Sequence, residues 1–153
     1  MQTLHFTTHI NASPEKVLST MLDKESYKIW TLPFNEGGSW YEGEITEGSK
    51  IHFLGPNPEK PESIGGMVSV VEKYIPNEFI SFKHIGEIND GVEDTESERV
   101  QKWAGSHENY TVIEKEGGTE LTIELMVIDE FIPYMNEAWP KALEALKTLV
   151  ETI

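Results

Sequence analysis

Five histidines are the side chains of this chain best suited to moving protons near neutral pH: His5, His9, His52, His84 and His107. His5 and His9 fall on the polar face of an alternating opening run, TLHFTTHI, whose other face carries Leu4, Phe6, Thr8 and Ile10. They read as surface residues of a half-buried strand. His52, His84 and His107 sit within strand-like runs. His84 alternates with Ile80 and Phe82, so it shares their apolar face and is the candidate for pointing inward. A buried imidazole there needs a hydrogen-bond partner and could serve as general acid or base. The plainer reading is a satisfied or exposed histidine.

Other reactive chemistry finds little support. The chain has no cysteine, which excludes disulfides, thiolate nucleophiles and zinc–thiolate sites. It has no G-x-S-x-G elbow. Gly37-Gly38 and Gly65-Gly66 are not followed by a phosphate-loop pattern and read as turn and bulge glycines. No histidine or carboxylate spacing supports a metal site, and the acidic run 87–98 does not fit an EF-hand loop. The expectation is therefore no catalytic residue, no metal and no cofactor, and a non-enzyme more readily than an enzyme.

The aromatic residues are more informative. Trp30, Phe34, Trp40, Phe53, Phe82, Tyr110 and Trp139 recur through the chain, with Met135 near the last of them. They read either as ordinary core or as the wall of an apolar cavity with few polar groups, the usual makeup of a small-molecule pocket. In the cavity reading, His84 or Tyr110 is the polar anchor.

Composition limits the partners. A net charge of −15, from 27 acids against 12 bases with Arg99 the one arginine, would repel nucleic acid and an anionic membrane surface. Solubility explains that charge most simply, and a basic protein partner is the sharper alternative. Apolar runs are too short for membrane insertion. The opening MQTLHFTTHI has neither a basic start nor a long apolar stretch, so no secretory signal and a cytoplasmic location are expected. The length of 153 residues suits one domain, 1–153.

These residues need elements to place them. Ser13-Pro14-Glu15 is a helix start, with a cap, a proline at the first helical position and an acid in the first turn. Val17, Leu18, Met21 and Leu22 continue it as an apolar stripe, and Asp23 can cap a second short helix over 24–30. A loop follows over 32–38, then a hairpin over 39–54 turning at Glu47-Gly48. GPNPEKPES, 55–63, reads as a polar loop. Runs 64–74 and 78–85 form a hairpin about Pro76-Asn77. The acidic segment 87–98 reads as a solvated loop, with a docking patch for a basic partner as the alternative, and Ser97–Trp103 allows a helical turn or two. Two more strands, about 105–114 and 119–127, join at Gly117-Gly118. From Ile132 a long amphipathic helix presents Met135, Trp139, Leu143, Leu146, Val150 and Ile153 on its apolar face. Both of its stripes stay in phase across Pro140, so one helix with a kink is expected. Strands in series with helices at the ends imply an α+β fold, with about six antiparallel strands covered by that helix.

Four stretches together resemble the helix-grip superfamily, also called START-like or SRPBCC, and within it the branch named after the activator of heat shock protein 90 ATPase. HINASPEKVLSTMLDKESYKIW resembles the branch's opening I-x-A-S-P-E-x-V-W…L…W. EGSKIHFLGP is similar to its glycine–lysine hairpin, YIPNEFISFKH to its Pro-x-x-Leu-x-aromatic strand, and WPKALEALKTLVE to its closing helix. Leu18, where the branch often has Trp or Phe, and the acidic 87–98 segment depart from the pattern.

The resemblance implies a curved sheet gripping the C-terminal helix, with a cavity between them and the two short helices at one end. Members bind lipids, sterols, polyketides or plant hormones, some close rings or dehydrate, and the eukaryotic activator binds its chaperone. No functional residue carries over from the activator. The resulting expectation is a binding module for a small apolar molecule. A cyclase- or dehydratase-like enzyme on an aromatic or polyketide-like substrate, and a chaperone-related protein-interaction module, are the alternatives.

Overall fold

A computed structural model describes residues 1–153. The chain opens with β1 (Gln2–Ile10) and turns into α1 (Pro14–Leu22) and α2 (Lys24–Trp30). Ser13 Oγ accepts the Lys16 amide at 3.2 Å. Asp23 works at two helix ends. Its own amide closes α1 on the Ser19 carbonyl at 2.9 Å, and its carboxylate takes the Ser26 amide at 2.9 Å to start α2. Those amide contacts hold the Asp23 carboxyl below its ordinary range. A short 3₁₀ turn, Leu32–Phe34, then leads into the sheet.

The sheet contains β2 (Trp40–Glu42), β3 (Lys50–Asn57), β4 (Lys60–Ile75), β5 (Phe79–Asn89) and β6 (Val92–Asp94). After α3 (Glu98–Gln101) come β7 (His107–Lys115) and β8 (Gly118–Val127). A second 3₁₀ turn, Asp129–Phe131, precedes α4 (Ile132–Thr152). All eight strands belong to one antiparallel sheet ordered β1-β8-β7-β5-β4-β3-β2, with β6 paired to the far end of β5. The count exceeds the expected six through short pieces such as β2 and β6, each only three residues long.

Two expected loops are ordered strand. Of the 55–63 stretch, only Pro58 and Glu59 lie between β3 and β4. The prolines that suggested a loop are tolerated because Pro56 sits beside a register shift and Pro61 at the start of β4. The acidic segment is likewise not a solvated loop. Asp90 and Gly91, at φ 48° and 84°, turn β5 into β6. Several of its acids have fixed partners: Glu87 takes Arg99 through two contacts, at 3.0 and 2.7 Å. Glu93 meets Lys50 at 3.1 Å and His52 at 2.6 Å. Asp90 accepts the Ile64 amide at 2.8 Å and Ser63 Oγ at 2.9 Å.

The core lies between the concave sheet face and the helices. Leu121, Ile123 and Ile80 of the sheet meet Val17 and Met21 of α1 and Leu146 of α4, all fully buried. Full burial of one such side chain stabilises by about 1.5–3 kcal/mol. α4 runs unbroken through Pro140, which is exposed, so the gap in its hydrogen-bond ladder falls on the solvent side. Ile153, expected on the apolar stripe, is exposed beyond the helix end, where no sheet remains to cover it. No helix is long and apolar enough to cross a membrane.

Gly65 and Gly66 serve close approach more than bulging. They pair with Gly55 and Leu54 of β3. A Cβ on Gly66 would fall 1.8 Å from the Phe53 carbonyl oxygen. Gly66→Ala is expected to destabilise the fold by at least about 1–3 kcal/mol in urea unfolding, because backbone cannot yield as a side-chain tip does. A variant as stable as the parent would refute that contact.

Candidate functional site

Strand alternation builds a polar cluster into the concave face. On β7, Glu108, Tyr110 and Val112 share one side, and Tyr110 and Val112 are buried. On β5, Ile80, Phe82 and His84 share the facing side. Register sets Phe82 opposite Glu108, Ile80 opposite Tyr110 and Ser69 opposite His84. Four polar side chains therefore meet among apolar ones. Ser69 Oγ lies 2.6 Å from His84 Nδ1. His84 Nε2 lies 3.6 Å from Glu108 Oε1, and the Tyr110 hydroxyl donates to Glu108 Oε2. The Ser–His–Glu order is not a hydrolytic arrangement, since Ser69 has no exposed surface from which to attack a substrate.

The cluster borders a cavity with two lobes. One, of about 140 Å³, is walled by Trp30 of α2, Phe34 of the 3₁₀ turn, Phe53 of β3 and Trp139 of α4. The other, of about 110 Å³, lies among Trp103, Leu125, Val127 and Phe131. Met67, His84, Glu108 and Met135 border both. The rings of the first lobe brace one another: Phe34 meets Trp139 edge-on at 5.0 Å and Tyr27 meets Trp30 at 5.5 Å. Tyr134 donates its hydroxyl to the Phe34 carbonyl and ties the start of α4 to the 3₁₀ turn. The indole N–H of Trp139 is buried without an acceptor, among the rings of Phe6, Trp30, Phe34 and Tyr110. A larger groove of about 530 Å³ on the outer sheet face is shallow and mostly polar, and its His107 and Asn109 are already bonded to Glu72 and Glu124.

Of the residues expected at a site, Trp30, Phe34, Phe53, His84, Tyr110, Met135 and Trp139 come together around the first lobe. Phe82 does not line it. It lies behind, packed on Phe53 at 5.2 Å and Tyr110 at 5.8 Å. Trp40 borders neither lobe, because its neighbour Tyr41 takes the inward position on β2 and donates to the Leu22 carbonyl. His84 is buried, as its alternation suggested. Glu108 was missed, although it shares strand parity with Tyr110 and Val112. Tyr27, in the same short-helix stretch as Trp30, joins them, and Met67 and Ser39 also line the lobe with no sequence motif to mark them.

Buried phenols carry the electrostatic signature of the site. Burial, and then the Glu108 charge, push Tyr110 well above its ordinary 10.0. The same two causes raise Tyr27. Burial raises Tyr41 and Tyr134 as well.

Comparison with known proteins places this architecture. The sequence model of the family described as "Activator of Hsp90 ATPase homolog 1-like protein" matches residues 11–151. No curated protein sequence matches the chain. Among solved structures, the Aha1 dimer from Colwellia psychrerythraea superposes with a TM-score of 0.71 at 19% identity, covering 99% of this chain and 98% of that one. A protein of Chromobacterium violaceum does so with a TM-score of 0.67 at 21% identity, over 100% of both chains. DynU16, from the dynemicin biosynthetic locus, gives 0.67 at 12% identity, over 99% of this chain and 48% of that one. These likenesses establish the helix-grip fold.

Tyr27 and Tyr110 should resist ionisation in the folded protein. A raised folded value means the native state keeps a proton that the unfolded chain loses. The associated stability is intact below about pH 10 and is lost as pH climbs above it. Tyrosinate absorbance during an alkaline titration is expected to rise for these two residues together with unfolding, and ionisation of either near pH 10 in a still-folded protein would contradict it.

Proposed function

The chain belongs to the Activator of Hsp90 ATPase homolog 1-like family, and from that premise we propose that this member binds a small, mostly apolar molecule between the sheet and α4. The observation that carries the reading is the two-lobed cavity, an apolar enclosure with a few convergent polar groups. Its size restricts the occupant. Each lobe is near the ~150 Å³ that accommodates benzene in an engineered protein cavity. A molecule of one or two rings fits within the lobes, and a larger one would extend into an adjoining groove of about 420 Å³ that shares Tyr27, Phe34, Phe53, Met67 and Met135 with the first lobe.

Acid–base catalysis on a bound ring, a cyclase- or dehydratase-like step, is the second reading. It is favoured by the presence of both His84 and Glu108 on the cavity wall. A docking role for the acidic 87–98 segment has less support, because Glu87 and Glu93 are already paired with cations of the same chain.

A panel of one- and two-ring lipophiles tests the proposal. Saturation at about 100 times Kd adds about 2.7 kcal/mol, which raises Tm by roughly 5–10 °C for a domain of this size. Met135→Trp, which fills the space bordering both lobes, is expected to abolish the shift while the protein stays folded. The absence of any shift across the panel, with no mass retained in native mass spectrometry, would overturn the proposal. Turnover of an aromatic ketone that is lost in His84→Gln, with binding retained, would favour the second reading.

A further inference from the structure

A carboxylate stands between the two lobes with no lysine or arginine beside it, its one basic neighbour being the His84 imidazole. The Glu108 side chain keeps only 20% of its exposure. Neither lobe has a lysine or arginine in its wall. Oε2 of Glu108 accepts the Tyr110 hydroxyl. Oε1 faces only His84 Nε2 at 3.6 Å, too far for a hydrogen bond. His84 cannot easily turn to close that gap, because its other ring nitrogen is held by Ser69 Oγ at 2.6 Å. One oxygen of a largely desolvated carboxylate thus has unused acceptor capacity facing the cavity.

The surrounding wall is largely aromatic, with the Thr31 and Ser39 hydroxyls and the Trp139 indole N–H as its other polar groups. Tyr27, Trp30, Phe34, Phe53 and Trp139 line the lobe that Glu108 borders. Aromatic faces carry the negative part of the ring quadrupole and attract cations, most strongly where water is excluded. The neighbouring phenols register this field, since the Glu108 charge helps keep Tyr27 and Tyr110 neutral. The chain's net charge of −15 adds to it.

We infer that the molecule held here is an organic cation, an aryl- or alkylammonium whose nitrogen seats against Glu108 Oε1 and among the ring faces. The inference rests on the cavity-binding reading above and narrows it. The hydrocarbon part of such a ligand fills the rest of the first lobe and extends past Met135 into the second. A fatty acid or other anionic lipophile would place a second negative charge beside Glu108 with no lysine or arginine in the wall to offset it. A neutral lipophile would displace water from Oε1 and leave it without a donor. An ammonium meets both the acceptor and the rings.

Three probes of similar shape separate these cases by calorimetric titration at pH 7: 2-phenylethylamine, 2-phenylethanol and 3-phenylpropanoate. The amine is expected to bind at least about tenfold more tightly than the other two. Glu108→Gln is expected to bring the amine to within about threefold of the alcohol while the alcohol's own affinity holds. Should the alcohol or the propanoate match the amine in the parent protein, the cation inference is wrong and the cavity reading stands. An amine preference undiminished in Glu108→Gln also overturns it. Binding of none of the three, when a larger neutral lipophile does bind, removes the cation inference alone. Binding of nothing removes both. If Glu108→Gln fails to fold, nuclear Overhauser contacts in the parent decide the seat: the methylene beside the amine nitrogen should contact the Tyr110 ring, and contacts confined to Trp103 and Phe131 would refute it.

Discussion

A curved sheet has one apolar face that must be kept from water, and a single helix is too narrow to cover it. The cavity of this protein follows from that mismatch. The buried residues of α4 all lie in its later part, from Ala138 to Val150, and the helix rests on β1, α1 and α2. Its first turns bury nothing completely, and Met135 is only half-covered. The remaining concave surface is closed by α2, the 3₁₀ turn and a set of mutually braced rings. Rings span a gap without filling it as densely as branched aliphatic chains would, and the two lobes are the space left over.

Polar residues occupy the floor of that space in a way a purely structural core would avoid. Ser69, His84, Glu108 and Tyr110 come from three strands and meet only because the sheet register brings them together. Serine and imidazole bond each other, the phenol donates to one carboxylate oxygen, and the other oxygen is left unmatched. Polar groups buried with incomplete pairing cost stability, so their presence here fits a binding role better than a packing role. By contrast, Glu87, Asp90 and Glu93 of the acidic segment are matched to Arg99, Lys50, His52 and a backbone amide, and they behave as structure.

Residue patterns alone were sufficient for the α+β class, for both short helices and for the long helix that continues through Pro140. Caps and periodicities act over three or four residues, and Ser13, Asp23 and the α4 stripe carry them plainly. The same local logic failed where it met pairing at a distance. Prolines 56 and 61 suggested a loop that the sheet absorbed, and a run of acids suggested a free loop although Glu87 and Glu93 have partners elsewhere in the chain. At the site, the inward side of His84 and Tyr110 was legible from alternation, and Glu108 could have been found by the same test. Trp40 and Phe82 were misplaced, because a large ring in a strand does not reveal whether it lines a space or backs it.

The sequence by itself determined which faces of each element are apolar, where helices begin, and that no thiol chemistry occurs. These properties follow from side-chain type and near-neighbour spacing. Only the tertiary structure decided that Tyr134 reaches the Phe34 carbonyl 100 residues away, that Trp139 stands among four rings, and that one Glu108 oxygen faces a cavity without a donor. Those facts depend on strand register and on where α4 lies across the sheet. Both are settled by the total burial of a core, a sum over the whole chain that no local stretch contains.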